Sequence, residues 1–141
     1  MNYSNMEGQT DHGPAPYVAN ITQKASKNRD FRNALWTGTH LQMTLMSIPP
    51  FGEIGAEVHE DTDQLIRVEQ GNGVVKMYDD RKKEHEHLLC TGDAVFVPAG
   101  TRHNVINTAR IPLKLSSVYA PPNHPKYTTH RTKEEADREE D

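Results

Sequence analysis

Glu57 and His59 stand two residues apart in the stretch Ala56-Glu57-Val58-His59. On an extended backbone such residues project to one face. A carboxylate and an imidazole side by side can hold a divalent metal or move a proton. Two further donors, Gln64 and His103, follow in the same region, residues 51–107. Other histidines carry less. His85-Glu86-His87 imitates the spacing but follows the charged run Asp79–Glu84, which reads as a surface hairpin arm with a solvated strand face. His40, His124 and His130 read as surface histidines, the last two flanking a proline-rich exit. Nucleophilic chemistry finds no Gly-x-Ser-x-Gly elbow. Cys90, in Leu88-Leu89-Cys90, reads as a buried small hydrophobe. Gly71-Asn-Gly73 leads into a strand rather than a helix, so it is no phosphate loop.

The elements that must position these donors are short strands. Runs at 31–37, 40–48, 64–69, 74–78, 85–90, 94–97, 103–107 and 113–120, with a strand carrying Glu57 and His59, are separated by Gly, Pro and Asp clusters. About ten strands at hairpin spacing predict a closed antiparallel barrel or jelly roll. A helical turn is expected near 20–27, because Ile21 and Ala25 are four apart. Residues 1–16 lack periodicity and are expected to be poorly ordered. The run 132–141 reads as a short solvated helix with Thr132 as N-cap and Glu135 at the capping-box position. The expected division is a tail with a short helix over 1–30, a barrel over 31–122 and a polar tail over 123–141.

Two half-motifs support the same fold. Gly92, Pro98, Gly100, His103 and Asn107 match every position of Gly-x5-Pro-x-Gly-x2-His-x3-Asn. Upstream, Phe51, Glu57, His59, Gln64 and Gly71 keep the spacing of Gly-x5-His-x-His-x4-Glu-x6-Gly with three substitutions: Phe51 for Gly, Glu57 for His, Gln64 for Glu. The chain resembles small single-domain cupins over roughly 48–119. The resemblance implies an all-β cupin jelly-roll barrel around one metal ion, with Glu57, His59, Gln64 and His103 as ligands. Two imidazole nitrogens and two oxygens, one of them anionic, suit a divalent transition metal: zinc, manganese, iron, nickel or cobalt. Gln64, a neutral carboxamide, is the weakest donor of the four.

Parity places Ile66 and Val68 on the face of Gln64, and Val105 and Asn107 on that of His103. Arg67, Leu65, Asn104 and Ile106 then point outward. Asp63 is a candidate catalytic base, although turn chemistry accounts for it too, and Glu60 is a further guess. Tyr119 is a candidate catalytic group at the barrel mouth, with Trp36 and Met46 nearby.

Composition excludes several classes. A net charge of -4 without a basic stripe argues against nucleic-acid binding. No apolar run approaches a membrane span. One cysteine and no basic-then-apolar leader point to a reducing, cytoplasmic setting. The ligand types are similar to those of phosphomannose-isomerase-type cupins. The function expected is therefore metal-dependent chemistry on a small polar metabolite, isomerase- or epimerase-like, with the metal as Lewis acid. The alternatives are a non-catalytic small-molecule binder and an iron-dependent dioxygenase. Apolar Leu65 and Ile106 on the outer face suggest a homodimer.

Overall fold

The computed structural model describes residues 11–140. Helix α1 (Ile21–Lys27) precedes β1 (Arg32–Thr37) and β2 (Gln42–Ile48). There follow β3 (Asp63–Gln70), β4 (Gly73–Tyr78), β5 (Glu84–Leu89), β6 (Ala94–Val97), β7 (His103–Asn107) and β8 (Leu113–Ala120). A two-residue strand β9 (Thr129–His130) and helix α2 (Lys133–Glu140) complete the order. The strands form a six-stranded sheet, β6-β3-β8-β2-β1-β9, and a three-stranded sheet, β5-β4-β7. Every pairing is antiparallel, and the all-β jelly-roll architecture is the one expected.

The core lies between the two sheets. Met46, Ile48, Ile66, Val68, Leu113 and Leu115 face it from the large sheet, and Val75, Leu89 and Val105 from the small one. Burying one face of each strand is what alternation in β3 and β7 encodes. β1 and β2 alternate poorly because their outer face is covered too. There Ala25 of α1 packs with Leu35 and Leu45, flanked by Tyr17, Ile21 and Met43. Asn20 caps α1, its side chain accepting from the Gln23 amide.

Four expectations are corrected. The stretch with Glu57 and His59 is extended but forms no regular strand; it meets β7 through isolated bridges, Glu53 to Ile106 and Glu57 to His103. Residues 1–10 lie outside the described part, but 11–16 are held. Asp11 is buried and accepts from the amides of Gly13, Thr37 and Tyr127. The C-terminal segment is not simply solvated. β9 pairs with β1, Ala136 joins the core, and Thr132 Oγ1 accepts from the Glu135 amide as the capping pattern predicts. Cys90 is exposed rather than buried, because β5 is an edge strand whose inward residue is Leu89, while Leu88 faces solvent. No helix among the described residues is long and apolar enough to cross a membrane.

Candidate metal centre

Glu57 and His103 exchange both backbone hydrogen bonds, at 2.8 and 3.0 Å. Partners in such an antiparallel pair carry their side chains on one face. The Glu57-Val58-His59 spacing then brings His59 to that face as well. The Gly100 amide donates to the His59 carbonyl at 2.8 Å, tying the two half-motifs together at the corner. That corner needs Gly100 in the left-handed region, at φ 82°. Gly92, at φ 92°, makes the turn at the opposite end of β6, where its amide donates to the Val68 carbonyl.

The result is a cluster in which one donor atom each from Glu57, His59 and His103 lies within 4.8 Å of the others. His59 Nε2 is 3.0 Å from Glu57 Oε2, yet it is buried without a directed hydrogen bond. His103 Nδ1 sits 2.9 Å from the Thr101 carbonyl. A carbonyl only accepts, so Nδ1 carries the proton and Nε2 keeps its lone pair. That is the tautomer a metal-binding imidazole needs. Burial lowers the pKa of His103, which favours the neutral, ligating form. Burial pushes Glu57 up, but the His59 contact and the Arg32 guanidinium outweigh it and hold the carboxyl below its ordinary range. Glu57 is thus an anion, and Arg32 Nη2 lies 3.2 Å from its Oε1.

Gln64 belongs to a polar row that crosses the large sheet. Gln64 on β3 faces Tyr119 on β8, which faces Gln42 on β2. The Gln64 amide nitrogen reaches Ser117 Oγ at 3.5 Å, while its Oε1 is buried with no partner among the described residues. A buried orphan carbonyl oxygen and an undirected imidazole nitrogen are both atoms a cation would satisfy. The set Glu57, His59 and His103 therefore fits a first-row divalent metal, and Gln64, whose Oε1 is buried without a partner among the described residues, stands on the neighbouring polar row.

Tyr119 is 1% exposed and packs edge-on against His59 and His124, with ring centroids 5.6 and 5.1 Å apart. Burial pushes its hydroxyl up to about 12, so it keeps its proton. Its ring is thus packed against one imidazole of the cluster. Asp63 is not brought there. It is exposed and opposite in parity to Gln64, and its Oδ1 accepts the Ala99 amide at 2.9 Å, a long-range tie to the 98–100 corner rather than a local turn. Trp36 anchors residue 15 through its indole N–H, and Met46 is ordinary core. Arg67 points outward to pair with Glu69, as parity predicts. His85 pairs with Asp79 on the surface, and His87 and His40 are exposed.

Several residues at this end escaped the sequence reading. A cavity of about 420 Å³ opens beside the cluster, lined by Glu57, His59, Asn123, His124, His130 and Glu139 among others. His124 and His130 are not surface histidines. Gln42, fully buried, receives the Asn123 and His124 amides on Oε1 and donates to Thr37 Oγ1 and the His124 carbonyl, which fixes the loop carrying His124. Burial and the Arg32 charge push His124 down to about 3, so its ring is neutral. His130 is 2% exposed; its Nε2 lies 2.6 Å from Glu139 Oε2, and its Nδ1 is buried without a partner. The proline-rich exit before them was the one local sign that this segment turns back over a mouth.

Comparisons with known proteins match this geometry. The cupin-domain family model (Cupin_2) matches residues 44–119, which include the cluster and, of the polar row, Gln64 and Tyr119 but not Gln42. YrkC of Bacillus subtilis (strain 168) is 51% identical over 134 residues, covering 93% of this chain and 71% of that one. The crystal structure of BH2720 from Bacillus halodurans superposes with a TM-score of 0.88 at 50% identity, covering 92% of this chain and 98% of that one. KdgF from Halomonas sp. shares the fold alone, at a TM-score of 0.58 and 20% identity over 65% of this chain and 78% of that one. The family model fits the segment that carries both half-motifs, and the half-identical relatives extend the match along almost the whole chain, so this protein belongs to the cupin family.

Proposed function

We propose that this chain is a metal-dependent enzyme acting on a small polar metabolite bound in the cavity beside Glu57, His59 and His103. The observation that carries the reading is the convergence of those three donor atoms within 4.8 Å, two of them, from Glu57 and His59, belonging to residues that line that cavity. A divalent ion there would polarise a carbonyl or hydroxyl oxygen as a Lewis acid. The surrounding residues have separable tasks. Tyr119 and His124 are neutral at pH 7 and orient a ligand by hydrogen bonding and shape. Neither has a pKa suited to proton transfer there. That role falls to the His130–Glu139 pair, an imidazole held by a carboxylate on the cavity wall. It replaces Asp63 in an isomerase- or epimerase-like proton transfer. The setting is reducing and cytoplasmic, in keeping with the free thiol of Cys90.

Two histidines and one carboxylate are also the set used by non-haem iron oxygenases. That donor composition is the observation favouring an iron-dependent dioxygenase as the second reading. Metal analysis of protein purified without chelator tests both. Stoichiometric metal that disappears in His103→Ala supports the centre, and metal-free folded protein would refute it. Iron with substrate-dependent oxygen uptake selects the second reading. Turnover without oxygen uptake, lost in His130→Gln with metal retained, selects the first.

A further inference from the structure

A second cavity, of about 600 Å³, lies at the other end of the large sheet. Ser47 and Lys114, partners across β2 and β8, line it, whereas the polar row crosses the same strands at Gln42 and Tyr119. Five residues of strand separate the two levels, about 17 Å at the usual rise. One wall is apolar: Phe31, Pro49, Pro50 and Pro112. The other is cationic: Arg29, Lys114 and Arg131.

Lys114 is only 7% exposed, and a lysine so deep ordinarily meets a carboxylate. Here its ammonium donates to the Asn28 carbonyl, and no carboxylate among the described residues comes within ion-pair distance of it. Burial and the neighbouring Arg29 charge lower its pKa. Like charges have thus been gathered rather than neutralised. Arg29 and Arg131 likewise have no ion pair among the described residues. Three other charges share the rim. Lys133 is already paired with Asp137 at 2.7 Å, and Glu53 and Glu134 are exposed. Glu53 accepts from Asn104 Nδ2 at 3.4 Å, and both carboxylates act on Lys133; neither is within ion-pair distance of Lys114.

We infer that this cavity is a binding site for a small organic anion, its phosphate or carboxylate group held by Lys114, Arg29 and Arg131 and its compact apolar body laid on Phe31 and the prolines. An anion supplies the missing counter-charge of Lys114, and the prolines offer a rigid wall that needs no ordering on binding. The head group is recognised by charge and the body by apolar burial, so a ligand lacking either part binds more weakly. This site is independent of the metal centre, and its ligand need not be the substrate.

The test is a titration of the 15N-labelled full chain, followed by amide chemical shifts, with phenyl phosphate, benzoate and inorganic phosphate. Phenyl phosphate or benzoate is expected to cause saturable shifts at Phe31, Ser47, Lys114 and Lys133; the tighter of the two identifies the head group. Inorganic phosphate is expected to bind at least about tenfold more weakly than phenyl phosphate, since it lacks the apolar body. Arg29→Ala with Arg131→Ala, both at exposed positions, should weaken binding at least about tenfold. Lys114→Met should remove it. The inference is overturned if neither organic anion shifts these amides, if shifts gather instead at Glu57, His59 and His124, if inorganic phosphate binds as well as phenyl phosphate, or if the arginine double variant binds unchanged.

Discussion

Replacing Glu57 by Gln separates the two roles of that carboxylate. In metal-free protein its partner is Arg32, 1% exposed and 3.2 Å away. Removing one member of a buried pair commonly costs about 3–5 kcal/mol, because the remaining charge is left uncompensated. The Glu57 side chain retains 14% of its exposure, so water offsets part of that loss. The substituted amide oxygen also still accepts from the guanidinium. A loss of about 2–3 kcal/mol in urea unfolding of chelator-treated protein is expected, with an unchanged m-value. Its pH dependence has a definite sign. The folded carboxyl titrates below its unfolded value, so its contribution is complete above the unfolded pKa and disappears as pH falls through the folded one. The difference between wild type and variant should therefore shrink on acidification below about pH 4.5. The second role appears on adding metal. Wild type should gain about 4 kcal/mol at a thousandfold excess of metal over Kd, and the variant much less. If metal-free Glu57→Gln is as stable as wild type and is equally stabilised by metal, neither the ion pair nor the ligand assignment is right.

Three further outcomes follow from the same structure. His124, pushed down to about 3, stays neutral in the fold while the unfolded chain takes up a proton below pH 6.5; stability should fall as pH drops from 6.5, by at most about 2 kcal/mol at pH 5, and denaturant melts of His124→Gln should show a flatter acid limb. Gly73→Ala would set a Cβ 2.5 Å from the Ile106 carbonyl across β4 and β7, which should destabilise the small sheet by about 1–3 kcal/mol in chemical denaturation. Phe96 on edge strand β6 is 74% exposed and Leu88 on edge strand β5 is 82% exposed; a homodimer that covers these edges should appear in light scattering and be lost in Phe96→Glu, and a monomeric wild type would exclude it.

Punctuation made much of the fold readable. β6, β7 and β8 fall at their expected bounds because Gly92, Pro98, Gly100 and the 108–112 turn mark each end. The Glu57–His59 pairing was legible because period-two projection survives even where the backbone makes only bridges. What could not be read was long-range. Nothing local says that Arg32, at the start of β1, reaches Glu57, or that Gln42 clamps residues 123 and 124. Cys90 misled because an apolar triplet looks the same on an edge strand as on a buried one; only the sheet order leaves β5 without an outer neighbour. His130 looked superficial because its burial depends on β9 finding β1, about a hundred residues back along the chain.

The order of these parts along the chain has a temporal consequence. The three clustered donors are all made by residue 103, whereas the far wall of the cavity comes from residues 123–139. β8, which lies between β3 and β2 in the large sheet, is complete only at residue 120. The sheet that frames the cluster and the segment that walls the cavity are therefore finished almost together. An ion held by these donors would then lie behind the last part of the chain to be made, which would lengthen its path to solvent.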